Sequence, residues 1–197
     1  MECNLVKEKH RFLLIDLLER TTGLPLPRED IYLGNINFAL YHKTASQDSN
    51  QYIFQIQWGS KSIFVLKKLT LKNIDQIEDK IQEIFKKHVE TLRSDLIQYC
   101  ISQLNNIILV ELPVQIRNVM PAFIDYKVFV DVSRCRNKES EEKKLKWPSI
   151  AVFISWDDEF GDFQEFVYPL NFAYNNNHFI LDYESMITEL RRYKDNI

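Results

Sequence analysis

The sequence predicts an α+β protein in a single domain over residues 1–197. It reads as a largely antiparallel sheet of about six to seven strands, one long helix packed on a face, and short N- and C-terminal helices. Three observations carry this. Apolar residues alternate with smaller or polar ones through Tyr52, Phe54, Ile56 and Trp58, and again from Ile124 to Val132, the period of a strand. Between Ile74 and Leu104 they recur near every 3.6 residues, the period of a helix. Polar and glycine-bearing stretches separate these segments.

The elements follow in order. Residues 4 to 21 predict the first helix, with Leu5, Val6, Phe12, Ile15 and Leu18 sharing a broad face; Gly23, Pro25 and Pro27 end it. Ile36 to His42, Tyr52 to Trp58 and Ser62 to Leu69 predict an antiparallel meander, with Thr44 to Gln51 and Gly59-Ser60-Lys61 as turns. A long helix comes next, capped by Thr70 or Asn73. Its stripe is Ile74, Ile77, Ile81, Ile84, Phe85, Val89, Leu92, Leu96, Cys100 and Leu104. At about 1.5 Å per residue it spans about 45 Å, longer than a small domain is wide.

The second half is strand-rich. Ile107 to Leu112 predicts a strand ended by Pro113, and Ala122 to Ser133 another. Ile150 to Trp156 and Phe163 to Tyr168 form a hairpin around Asp157-Asp158-Glu159-Phe160-Gly161-Asp162. Ala151 and Phe153 are apolar on the second face of Ile150 to Trp156, so that strand is expected to be central and covered on both sides. Residues 171 to 178 are a loop, and Glu184 to Tyr193 the closing helix. Arg134 to Lys146 is a charged loop. Phe54-x-Ile56-x-Trp58 echoes Val152-x-Ile154-x-Trp156, a match that strand composition alone produces. The order helix, three strands, helix, strands, helix resembles the secretion-chaperone-like fold of small acidic proteins that bind other proteins, which implies a binding role.

Composition narrows the function. With 45% hydrophobic and 27% charged residues, the chain can bury a core. The 4 glycines, Gly23, Gly34, Gly59 and Gly161, stand alone, so phosphate-cradling loops are absent. P-loop NTPases, glycine-signature dinucleotide enzymes, typical kinases and elbow-type hydrolases are thereby disfavoured. Cys3, Cys100 and Cys135 form no CxxC, which predicts a reducing, cytoplasmic setting and no structural zinc. The N-terminal residues lack a signal-peptide run, and no apolar run approaches membrane-spanning length. The net charge of −3 and the short, balanced basic pairs Lys67-Lys68, Lys143-Lys144 and Arg191-Arg192 argue against nucleic acid. His10, His42, His88 and His178 form no ligand spacing. No cofactor or metal is expected.

Two constellations remain. Glu111 followed by Asp125-x-Lys127 resembles the PD-(D/E)xK nuclease pattern, which implies two carboxylates on a divalent metal and a lysine that assists the attacking water. The resemblance lacks the proline before the acid and the helix that usually follows, and alternating charge on a solvent-facing strand is the plainer account of these residues. Asp157, Asp158, Glu159 and Asp162 lack calcium-loop spacing. The plainer reading is a hairpin turn whose acids solvate its tip; the sharper one makes Phe160, flanked by Asp158 and Glu159, an anchor for a protein partner. The leading expectation is a cytosolic, non-enzymatic protein-binding module: a regulator, an inhibitor or immunity factor, or a chaperone-like adaptor. The long helix offers a homodimer surface. A metal-dependent nuclease or hydrolase using Glu111, Asp125 and Lys127 is the alternative.

Overall fold

A computed structural model describes residues 3–5, 8–42, 51–71, 77–120, 125–131, 147–148, 150–172 and 178–196. The proposed turn over 44–50, the Asn73 cap, the charged run 134–146 and the asparagines 175–177 lie outside them. The described residues form an α+β fold of four helices and nine strands, all paired antiparallel. They divide into two compact units. The first takes the described residues through Tyr99, with Trp147 and His178; the second takes the others from Cys100 onward.

Unit one opens with strand β1 (Cys3–Leu5) and helix α1 (Glu8–Thr22). The single first helix expected over 4 to 21 is thus corrected: its first residues pair with Ala39–Tyr41 as an edge strand. The meander follows as β2 (Ile36–His42), β3 (Gln51–Trp58) and β4 (Lys61–Thr70), giving the sheet order β1-β2-β3-β4. In register, Ile36, Phe38 and Leu40 oppose Trp58, Ile56 and Phe54, and all six are buried. Gly59 makes the β3–β4 turn at φ +58°, where a Cβ would stand 2.8 Å from the Leu33 carbonyl oxygen. Any side chain there would have to displace backbone.

Helix α2 (Ile77–Lys87) and helix α3 (Val89–Ile116) continue the chain. The rings of Phe54 and Phe85 lie 6.2 Å apart, and those of Trp58 and Tyr99 5.3 Å apart, so α2 and the start of α3 cover this face. Burying each aromatic side chain stabilises by about 2–3 kcal/mol. The expected single helix is divided only at His88. Its N–H is shared between the Ile84 and Phe85 carbonyls, while Leu92 N–H still reaches the His88 carbonyl. The ladder tightens for one residue there. His88 packs its ring 5.5 Å from Phe64.

The strand expected over Ile107 to Leu112 is helix instead. The apolar stripe continues through Leu92, Leu96, Cys100, Leu104, Ile108, Leu112 and Ile116, each essentially fully buried. A four-residue spacing keeps one helical face inward. Pro113 lies inside the last turns of α3. It removes one ladder bond three residues before the helix ends.

Unit two contains β5 (Tyr126–Asp131), β6 (Ala151–Asp157) and β7 (Phe163–Pro169), in that spatial order. Strand β6 is central, and Ala151 through Trp156 are all buried. Strand β8 (Asn171–Phe172), at the start of the expected loop, pairs with β9 (Phe179–Ile180) just beyond its end, as a separate two-stranded sheet. Helix α4 (Tyr183–Asp195) closes the chain. Tyr193 on α4 meets Trp156 at 6.1 Å and Phe166 at 5.7 Å, both edge-on. Lys194 Nζ donates to the Val119 carbonyl just beyond α3.

Candidate functional site

The acidic stretch after β6 is a five-residue turn built by one of its own acids. Asp158 Oδ1 accepts the N–H groups of Phe160 (3.0 Å) and Asp162 (2.9 Å), and Oδ2 accepts Gln164 Nε2 (2.9 Å). The Asp158 carbonyl accepts Gly161 N–H at 3.0 Å. Gly161 takes φ +82°, which closes the turn without a Cβ penalty. Four donors point at Asp158, its carboxylate among the acceptors. The Asp162 and Gln164 bonds lead in holding that carboxyl below the usual aspartate range. Asp158 therefore has a structural task, and it keeps its charge at neutral pH.

That scaffold pushes Phe160 into solvent. Phe160 is 84% exposed, and Phe163 and Val167 on β7 are 65% and 45% exposed. Asp157, Glu159 and Asp162 are exposed around them. Exposed single apolar residues are ordinary, but an aromatic pair with a valine on one hairpin is a surface that a partner can desolvate. The sequence singles out Phe160, Asp158 and Glu159 as partner-facing, and of these Asp158 bonds within the turn itself; it does not single out Phe163 and Val167, although their odd-numbered alternation against buried Phe166 is the available signal.

The residues of the alternative constellation fall on different kinds of element. Glu111 lies on α3, not on a strand, and its Oε2 accepts the Tyr183 hydroxyl at 2.7 Å. Asp125 is exposed immediately before β5. Lys127 is exposed on β5, opposite Ser155, which in turn lies opposite Glu165. The strand-to-strand placement of acid and acid-x-Lys that the nuclease pattern uses is therefore replaced by helix and strand. Among the described residues no group of three or more His, Cys, Asp or Glu side chains is placed to hold a metal ion. Of the histidines, His10 Nδ1 meets Glu78 Oε1 at 2.9 Å.

An open cleft of about 350 Å³ in unit one is lined by Leu17, Arg20, Thr21, Gln82, Lys86 and Val89. Arg20 and Lys86 are in the last turns of α1 and α2. Helix dipoles favour cations there, which accounts for both charges without a ligand. No described helix is long and apolar enough to cross a membrane.

Comparison with protein-family models, curated proteins and solved structures finds no match to this chain.

Proposed function

We propose that the chain is a non-enzymatic protein-binding module whose partner contacts the β6–β7 hairpin. A regulator, an inhibitor or immunity factor and a chaperone-like adaptor all work in this way, in a reducing compartment such as the cytosol. The observation that carries the reading is the exposure of Phe160, Phe163 and Val167 together on one acidic hairpin. Asp158 holds the tip in a defined shape, so less conformational freedom is lost when a partner docks. The hydrolase reading draws no comparable support, because Glu111 is engaged by Tyr183 on a helix.

The test is affinity capture of the tagged protein from its own host's lysate, read by mass spectrometry. Wild type is compared with the double variant Phe160→Ser, Phe163→Ser. A stoichiometric protein that survives moderate salt with wild type and is lost from the variant is the expected result. Equal retention by both, or no captured protein, overturns the proposal.

A further inference from the structure

We infer that the outward face of the last turns of α3 is a second interaction surface, separate from the hairpin. Its occupant is a second copy of this chain, packed antiparallel about a two-fold axis. From Ile107 to Val114 the helix is apolar at every position but Glu111. Ile108 and Leu112 belong to its inward stripe and are buried. On the other side Leu109 is 54%, Val110 74% and Val114 64% exposed, and Pro113 is exposed beside them. Leu109 with Pro113, and Val110 with Val114, are spaced i,i+4, so the four form one patch along less than two turns. A helix that is apolar all round is ordinarily covered all round.

Charge selects the occupant. The patch is flanked on α3 by exposed Ser102, Asn106 and Gln115, none of them charged. Glu111 is half-buried and accepts the Tyr183 hydroxyl. The patch therefore gives a charged partner nothing to recognise, in contrast to the acidic hairpin. A core depleted of charge and rich in apolar area is the composition of homodimer interfaces. In a two-fold contact residue i meets j while j meets i. With the axis level with Leu112, Val110 of one copy meets Val114 of the other, and the reverse contact repeats it.

Arg117, the first cation after Arg93, sets the direction. Antiparallel packing holds the two Arg117 residues about 15 Å apart along the helices, whereas parallel packing sets them side by side on axes about 8–10 Å apart. Area sets the strength. Four exposed apolar side chains and their flanks cover on the order of 500 Å² per copy, less than the roughly 800 Å² of a standard interface. The dimer is accordingly a weak one, dissociating at roughly 10–100 µM.

The test is sedimentation velocity of the full chain between about 1 and 300 µM. Wild type is expected to move from monomer toward dimer across this range. Val110→Lys and Val114→Glu each put a charge into the apolar centre and should weaken association about tenfold. Both side chains are exposed, so the urea midpoints of these variants should stay with wild type. The double variant Val110→Lys, Val114→Glu sets lysine against glutamate at both contacts of the antiparallel pair, and like against like in a parallel one. It should associate about threefold to tenfold more tightly than either single variant, a gain that an unfolded chain would not show. Phe160→Ser, Phe163→Ser should associate as wild type does, which separates this surface from the hairpin. The inference is overturned if wild type stays monomeric throughout, or if the single variants associate as wild type does. It is equally overturned if the double variant is no tighter than the single ones, or if the hairpin variant loses the dimer.

Discussion

Glu19 shows how much one buried side chain organises. Its side chain is 9% exposed, accepts the Leu26 N–H at 2.6 Å and pairs with Arg28 at 2.7 Å. It thereby fixes the turn after α1 onto the helix. Burial raises its carboxyl above the ordinary glutamate range, and the Leu26 and Arg28 contacts offset only part of that shift. Glu19→Ala leaves the Leu26 N–H without its acceptor and the Arg28 guanidinium with Asp16 in place of two carboxylates, and should cost about 1–3 kcal/mol in urea unfolding. The pH sign is also determined. A carboxyl whose folded pKa is raised contributes most below the ordinary glutamate value of about 4.3. That contribution is lost as pH rises through the raised folded value. Glu19→Gln should flatten this fall in a pH series of unfolding midpoints. An unchanged slope would place the effect elsewhere.

At the scale of elements, Asn105 is the join that the sequence did not reveal. It sits on α3 and satisfies the Val130 edge of β5. Asn105→Ala leaves a buried N–H unpaired and should cost about 1–3 kcal/mol, while Asn105→Asp, which keeps the acceptor, costs less. Urea midpoints of the two variants decide it. Strands bounded by turn signals are legible: β2, β3, β4, β6 and β7 stand within a residue or two of their expected bounds. Ile107 to Leu112 is not, because a short segment that is apolar apart from Glu111 fits either period. Only the longer spacing from Leu92 to Ile116 resolves it as helix. Strand β1 is too short to show a period, and its pairing depends on residues more than thirty positions away. The hairpin tip was legible from Phe160 and its acids, but the edge of β7 was not. Which strand is outermost is a property of long-range pairing, and no local pattern encodes it.

For the whole molecule, the fold class read from sequence stands: antiparallel sheets with a long helix against one of them. The Ile-x-Trp echo also gains a topological setting. Phe54 to Trp58 and Val152 to Trp156 each lie on the middle strand of a three-strand meander. Each tryptophan packs on a tyrosine from a later helix, Tyr99 or Tyr193. The two compact units share the continuous helix α3, which changes unit at Tyr99–Cys100. A helix unravelled in one half loses its ladder into the other, since helix formation is cooperative. Calorimetry is therefore expected to show one unfolding transition with equal calorimetric and van't Hoff enthalpies, as a single domain requires. Two separable transitions would mean that each unit is its own domain.

The same aromatic placement makes the protein a source of its own optical signals. The chain has 3 tryptophans. Trp58 and Trp147 stand 6.3 Å apart in unit one, close enough for their excited states to couple. Trp156 lies in unit two, beside Tyr193. Circular dichroism in the near ultraviolet thus follows the indole pair, and the emission of a Trp58→Phe, Trp147→Phe chain follows the lone indole. Each half of the molecule can be watched in the intact protein without attaching a dye.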